Sequence, residues 1–159
     1  MSYSFLHLFT PEEKKQYDTM LELRQENKEG LKVFRIDYNK LKSSVKALEK
    51  KYGTTSDFMN YEQGSKNKFV ISQLFKIENK YRHIEHKISI YKARQRDFSE
   101  SLVCFPFKGR YSYGTMSNRI AGLHNIIASA HSNLADAYHD ISIANKYLKE
   151  IVQGLKWRI

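Results

Sequence analysis

The feature that most constrains the fold is an unbroken apolar repeat in residues 120–155. Apolar side chains recur there at alternating spacings of three and four residues over five heptads. The repeat comprises Ile120, Leu123, Ile127, Ala130, Leu134, Ala137, Ile141, Ala144, Leu148, Ile151 and Leu155. A period of 3.5 residues places these side chains in one seam along a helix. Because the alanines leave room for a close neighbour, the repeat predicts a long helix packed against other helices.

Two earlier stretches carry the same repeat. The first comprises Leu31, Phe34, Tyr38, Leu41, Val45, Leu48 and Tyr52, and the second comprises Leu74, Ile77, Tyr81, Ile84, Ile88, Tyr91, Gln95, Phe98 and Leu102. Seven glycines and two prolines are too few for a turn-rich β protein. The pattern predicts an all-α fold, an elongated antiparallel three-helix bundle or coiled coil (up-down-up) with helices of roughly 35–40 residues. Apolar residues beside the seams favour completion by dimerisation or a fourth helix.

Capping residues set the expected bounds of the first helix. Thr10, Pro11 and Glu13 have the spacing of a capping box, in which the hydroxyl and the carboxylate bond each other's backbone N–H groups. Gly53 suits the left-handed residue that ends a helix. We expect one helical domain, 1–159, made of helix 1 at about 11–52, helix 2 at about 66–103, a connector at 104–114 and helix 3 at about 116–157.

The first helix has an irregular middle. Arg24 and Asn27 occupy positions where its apolar repeat should continue. Gly30 follows them, and glycine is a weak helix former. The sequence therefore predicts a bend or a break near Gly30.

The formal net charge is +10, and in the linear sequence it is spread along the chain. Residues 1–53 carry 11 lysines and arginines against 8 aspartates and glutamates, residues 54–103 carry 9 against 6, and residues 104–159 carry 7 against 3. A basic excess of this size favours nucleic acid, anionic lipid or an acidic protein as a partner. The charge alone does not choose among the three.

A basic row on helix 2 has two interpretations. Lys80, Lys87 and Arg94 recur every seven residues and flank one side of the seam, while Glu78 and Glu85 flank the other. Charges beside a seam commonly pair with a neighbouring helix and set its direction. The alternative is a positive stripe that follows phosphate groups. Interleaved acids favour the pairing interpretation.

The connector 104–114 is the strongest candidate binding segment in the sequence. Aromatic and basic side chains alternate along this glycine- and proline-containing loop; they are Phe105, Phe107, Lys108, Arg110, Tyr111 and Tyr113. Such a loop can stack bases and hold phosphates, enter a membrane interface or anchor a protein partner. The competing interpretation is that the aromatic side chains close the end of the helical core.

The sequence contains no recognisable catalytic constellation. It lacks a glycine-rich phosphate loop, a nucleophile elbow and a His-Glu-x-x-His motif. A di-iron bundle needs Glu-x-x-His on two helices, and the nearest match is the single pair Asp136 and His139. Cys104 lies near Lys108 and Arg110, but no histidine or acid is placed by sequence to activate it. We expect neither an enzyme nor a bound metal or cofactor.

We therefore expect a non-enzymatic scaffold or adaptor that binds protein partners, itself included, through its helical faces and the connector. The alternative is a basic polyanion-binding protein. Three long basic helices resemble, in architecture alone, the membrane-bending helical dimers of the BAR type, which implies an anionic membrane surface as a partner. One cysteine, no signal-peptide pattern and no long apolar run predict an intracellular, cytoplasmic protein.

Overall fold

The computed structural model describes residues 9–53, 65–104 and 113–157. Three helices account for almost all of them: α1 spans Pro11–Tyr52, α2 spans Ser65–Cys104 and α3 spans Tyr113–Trp157. No strand occurs in these ranges. The predicted all-α, three-helix fold is confirmed, whereas dimerisation remains a prediction. Within the same ranges, no helix is both long enough and apolar enough to cross a membrane.

Both ends of α1 follow the capping chemistry in the sequence. The Thr10 backbone N–H donates to Glu13 Oε1 at 2.9 Å, and the Glu13 N–H donates to Thr10 Oγ1 at 3.2 Å. This reciprocal pair satisfies two backbone donors that the first turn leaves without helical partners. At the other end Gly53 has φ 116° and donates to the Glu49 carbonyl. A side chain at that φ would be strained, so glycine suits the position.

The helices contribute to two compact units. Unit 1 comprises residues 1–31 and 88–134, and unit 2 comprises residues 32–87 and 135–159. Each unit therefore contains one segment of each of the three helices.

In unit 1, α1 and α3 run parallel. His131 Nδ1 lies 2.8 Å from Asn27 Oδ1, and Gly30 faces Leu134 three residues further along both helices. Its buried core comprises Tyr17, Met20, Phe98, Ile120, Leu123 and Ile127. This core contains side chains from all three helices, so unit 1 is a three-helix packing in its own right.

In unit 2, α2 runs antiparallel to α3. Three contacts show this, because the α3 residue number falls as the α2 residue number rises; they are Gln73–Glu150, Lys80–Asp140 and Lys87–Asp136. The buried side chains again come from all three helices and include Phe34, Leu41, Val45, Ile71, Leu74, Ile77, Ile84, Ile141 and Ile151. Burial of apolar area of this kind is the dominant favourable term in folding.

The α3 seam behaves as its spacing predicts. Nine of its eleven residues are buried, and the other two, Leu148 and Leu155, are partly buried. Ala130, Ala137 and Ala144 are fully buried, which is consistent with helices that approach closely at these positions. The 3.5-residue period therefore identifies the core face of the longest helix residue by residue.

Gly30 does not break α1, which continues as a helix from Pro11 to Tyr52. The position instead has a packing role, because a Cβ added at Gly30 would come within 3.1 Å of Leu134 Cδ2 on α3. The glycine thus makes room for a core leucine of the neighbouring helix. The predicted break is wrong, and the bend remains a prediction.

Two buried isoleucines test the packing of each unit. Ile84 in unit 2 and Ile127 in unit 1 are fully buried. Ile84→Asp and Ile127→Asp would each bury an unpaired carboxylate, so we expect each to reduce the free energy of unfolding by more than about 4 kcal/mol. Thermal melts followed by circular dichroism measure this loss. Ile36→Asp is the matched control, because Ile36 is 57% exposed, and its melt should stay close to that of the wild type.

If both core variants melted like the Ile36→Asp control, the assignment of these seams to the core would be wrong.

Candidate binding surfaces

Folding concentrates the positive charge in one unit. The described residues of unit 2 contain 16 lysines and arginines against 7 aspartates and glutamates, a net charge of +9. Those of unit 1 contain 8 against 8, a net charge of zero. The uniform distribution along the linear sequence is therefore not the distribution in the fold. A concentrated charge of one sign attracts oppositely charged partners and speeds their association.

The cause is the pairing of two basic helix halves. Residues 32–52 of α1 carry seven basic side chains against two acidic ones, and residues 65–87 of α2 carry six against two. Residues 32–52 belong to the first of the three segments counted above, 1–53. Residues 65–87 belong to the second, 54–103. Because both belong to unit 2, their charges add in the fold, although counts along the sequence divide them.

Among the described residues, the large apolar side chains that are about half exposed belong to the same unit. Val33 is 54% exposed, Ile36 is 57% exposed, Phe75 is 47% exposed and Val152 is 48% exposed. Val33 and Ile36 lie three residues apart on α1 and so share one face of that helix. Unit 2 thus combines exposed apolar side chains with a surplus of cations.

Two adjoining hollows of unit 2 contain lysines from α1 and α3, and together they are called the groove of unit 2. The first has a volume of about 460 Å³, is lined by α3 residues from Tyr138 to Lys149 and includes Lys146. A second hollow of about 190 Å³ adds Lys40 from α1 and shares Ile141 with the first. The three lysines are exposed and form no ion pair with a described residue.

Unit 1 has a groove between the same two helices with different chemistry. Its volume is about 400 Å³, and its described lining contains Lys15, His124 and no aspartate or glutamate. The remaining lining residues are polar or apolar: Gln16, Thr19, Ser117, Ile120, Ala121 and Asn125. The groove of unit 1 is thus close in volume to the larger hollow of unit 2, but its lining contains fewer lysines.

The basic row of helix 2 is divided between the units. Lys80 lies 3.9 Å from Asp140, and Lys87 lies 3.5 Å from Asp136, both on α3. These are the interhelical pairs of the first interpretation, and partly exposed pairs of this kind stabilise by no more than about 1 kcal/mol. Arg94 is exposed and belongs to unit 1. The structure does not bring the three together as one free stripe.

The connector prediction lies outside the described residues. This applies to Phe105, Phe107, Lys108, Arg110 and Tyr111. Tyr113 is the first residue of α3. The proposed role of this segment in binding stays a prediction.

A hydrogen-bonded cluster joins α1 to α2 in unit 2. Tyr38 donates its hydroxyl to Glu85 Oε1 at 2.7 Å, and Lys42 lies 3.4 Å from the same oxygen. The Lys42 ammonium also lies 4.3 Å from the centre of the Tyr38 ring, within cation–π range. Burial and the Glu85 carboxylate raise the pKa of Tyr38, so the phenol stays a proton donor at neutral pH. Lys42 is thus engaged within the protein.

Two more acids surround a second buried phenol in unit 2. Burial, Glu49 and Glu78 raise the pKa of Tyr81, whose hydroxyl has no hydrogen-bond partner among the described residues. Burial first and the Glu78 charge second raise the pKa of Glu49, while Lys46 opposes them. Glu49 therefore carries its charge at some cost in stability at neutral pH.

Polar side chains stand at or beside the apolar seams of unit 1 and are here called the polar layer: Arg24, the buried Asn27, Gln95, Ser99 and the exposed His131. Arg24 Nη2 donates to Ser99 Oγ at 2.9 Å, and Asn27, which is 1% exposed, bonds His131. Three donor nitrogens, Arg24 Nε, Asn27 Nδ2 and Gln95 Nε2, are buried without an acceptor among the described residues. Buried polar residues in a helical seam can fix the register of packing at the expense of stability.

The histidines are not gathered into a ligand set. Among the described residues, no group of three or more histidine, cysteine, aspartate or glutamate side chains is placed to hold a metal ion. His124 belongs to the groove of unit 1, and His131 belongs to the polar layer.

Comparison with known proteins adds no relative. No protein-family profile, no curated protein and no solved structure matches the chain.

Replacement of the buried asparagine tests the polar layer. We expect Asn27→Leu to raise the free energy of unfolding by about 1 kcal/mol, because it removes a buried donor without a partner and adds apolar contact. For a chain of this size the melting temperature should rise by about 2–4 °C. Asn39→Leu, at an exposed position of the same helix, should leave it nearly unchanged. A lower melting temperature for Asn27→Leu would show that the amide stabilises the core.

The raised pKa of Glu49 predicts a pH-dependent effect. A raised folded-state pKa means that the folded chain holds the proton more tightly, so stability falls as pH rises from about 4.5 through the folded value. We expect Glu49→Gln to raise the melting temperature at pH 7 slightly, on the order of 1 °C. This gain in melting temperature should vanish below the pKa of Glu49 in the unfolded chain, because Glu49 is then protonated in the folded and the unfolded states.

The control for this effect is Glu22→Gln, at an exposed position of α1 in unit 1. Calorimetry of both variants at several pH values measures the difference. A gain for Glu49→Gln that is the same at all pH values would contradict the assigned cause.

Proposed function

We propose that this protein is a non-enzymatic helical scaffold or adaptor whose unit 2 binds an acidic protein partner. The observation that carries the proposal is the coincidence of two properties in one unit. Unit 2 holds a described net charge of +9, and it also holds Val33, Ile36 and Val152, each about half exposed.

The combination favours a protein over nucleic acid. Protein interfaces typically place apolar anchors inside a polar or charged rim. Long-range attraction speeds encounter, while apolar contact slows dissociation. A phosphate backbone uses only the charge, so exposed valine and isoleucine side chains would add nothing to it.

The second candidate is a polyanion-binding protein, for nucleic acid or an anionic membrane surface. The observation that favours it is the spread of exposed cations of unit 2 over all three helices, which include Lys32, Arg35, Lys46, Lys68, Arg82 and Lys149. A surface of this kind can neutralise several phosphates at once.

A charge-reversal comparison tests the proposal. Three immobilised full-length proteins are exposed to extract from the source cells at physiological salt. They are the wild type, a unit 2 variant with Lys32→Glu, Arg35→Glu and Lys46→Glu, and a unit 1 variant with Lys14→Glu, Lys28→Glu and Arg94→Glu. All six positions are exposed, and both variants change the net charge equally.

We expect wild type and unit 1 variant to retain the same acidic protein, and the unit 2 variant to lose at least about 90% of it, a tenfold fall in affinity. Equal retention by all three proteins contradicts the proposal. Labelled duplex DNA and phosphatidylserine vesicles are titrated in parallel. Tight binding to either, with a steep salt dependence and no retained protein, favours the second candidate.

A further inference from the structure

We infer that the groove between α1 and α3 in unit 2 accepts an acidic amphipathic helix from the partner. The inference rests on the proposed function and deepens it by naming the site and the form of the partner. Its observations are the charge, the lining and the length of the groove.

The charge of the groove is strongly one-sided. Lys40 stands on the α1 side, and Lys146 and Lys149 stand on the α3 side. Asp37 is the single carboxylate in the lining. Three exposed ammonium groups without ion-pair partners among the described residues therefore border one channel. Carboxylates on both flanks of an occupant would pair with them.

The helix faces that carry these lysines also carry exposed apolar side chains. Leu41 and Ile141 close the floor of the hollow and are only 2% and 4% exposed, whereas Val33 on α1 is 54% exposed and Val152 on α3 is 48% exposed. Val33 lies seven residues before Lys40 and Val152 lies three residues after Lys149, so each shares a helix face with a groove lysine.

Ser44 and Ser142 lie beside Leu41 and Ile141 in the lining and are small enough for another backbone to approach closely. An occupant with an apolar stripe and acidic flanks matches this combination of lysines, small polar side chains and exposed valines.

The length fits a helical segment. From Tyr138 to Lys149, α3 rises by about 16 Å, which corresponds to three turns of an opposing helix. An amphipathic helix laid in a groove between two helices is a recurring mode of recognition. The bound helix would also act as a fourth helix beside the three of unit 2, covering apolar side chains that lie beside the seams.

Other occupants fit less well. A second copy of unit 2 would bring a described charge of +9 against another +9, and like charges repel. A nucleic-acid duplex is wider than a channel between adjacent helices, whose axes lie about 8–10 Å apart. A duplex would contact the exposed lysines and gain nothing from the exposed Val33 and Val152.

The test uses a defined probe and the full chain. The probe is a fluorescent 14-residue peptide with leucines at heptad spacing and glutamates on both flanks; a matched peptide carries lysines in place of the glutamates. We expect saturable binding of the acidic peptide and at least tenfold weaker binding of the basic one. The Lys146→Glu and Lys149→Glu double variant should weaken binding of the acidic peptide at least tenfold, and the Lys15→Glu control in the groove of unit 1 less than twofold.

Methyl NMR locates the peptide directly. The resonances of Ile141, in the proposed groove, should shift on titration, whereas those of Ile120, in the groove of unit 1, should not. No binding of the acidic peptide at about 100 μM, which is weaker than a −5 kcal/mol interaction, overturns the inference. Equal affinities of the double variant and the Lys15→Glu control for the acidic peptide would also overturn the inference. Binding that doubles the molecular mass of the protein without shifting the Ile141 resonances would do the same.

The outcomes also separate the two proposals. If the Lys32, Arg35 and Lys46 reversals abolish retention of the acidic protein while the groove variant retains it normally, the proposed function stands and the groove is not its site. If the groove variant loses both the peptide and the retained protein, the groove is the binding site. Thermal melts of each variant confirm that the exposed substitutions leave the fold intact.

Discussion

Packing of the apolar seam of α3 against α1 and α2 is the interaction on which the other features depend. Its fully buried isoleucines and alanines hold a parallel neighbour and an antiparallel one in fixed registers. In unit 2 this register brings the basic half of α1 together with the basic half of α2. The apolar core therefore decides where charge is concentrated, although no charged residue belongs to the seam.

Local chemistry made much of the fold predictable. The capping box at Thr10 and Glu13 and the left-handed Gly53 depend on residues close in sequence, and both have the expected geometry. Gly30 was not predictable in this way. Its low helix propensity predicts a weak point in α1, whereas in the fold the glycine leaves room for Leu134 of α3. Asn27 likewise looked like an interruption of the repeat and is a buried residue with a partner on α3. Tertiary partners decided both positions.

The candidate site was less predictable for the same reason. Lys80 and Lys87 were recognisable as flanking residues, but their partners Asp140 and Asp136 follow only from the antiparallel register. Lys40 and the two α3 lysines of the groove are more than 100 residues apart in sequence. A net charge counted over long segments of the chain combines the basic half of each helix with its less basic half, so it does not show which halves meet in the fold. A count made for each half-helix, combined with the up-down-up order, would have found the basic unit but not the groove.

The central claim is the register that gathers the basic helix halves in unit 2. Spin labels at Arg35→Cys, His86→Cys and His139→Cys, taken in pairs with Cys104→Ser, test it by electron–electron dipolar distance measurement. These exposed positions lie at one level of the three helices. We predict a single narrow distribution of about 15–30 Å for every pair, since packed helix axes are 8–10 Å apart. Any pair beyond about 40 Å would contradict this register and the charge concentration that depends on it.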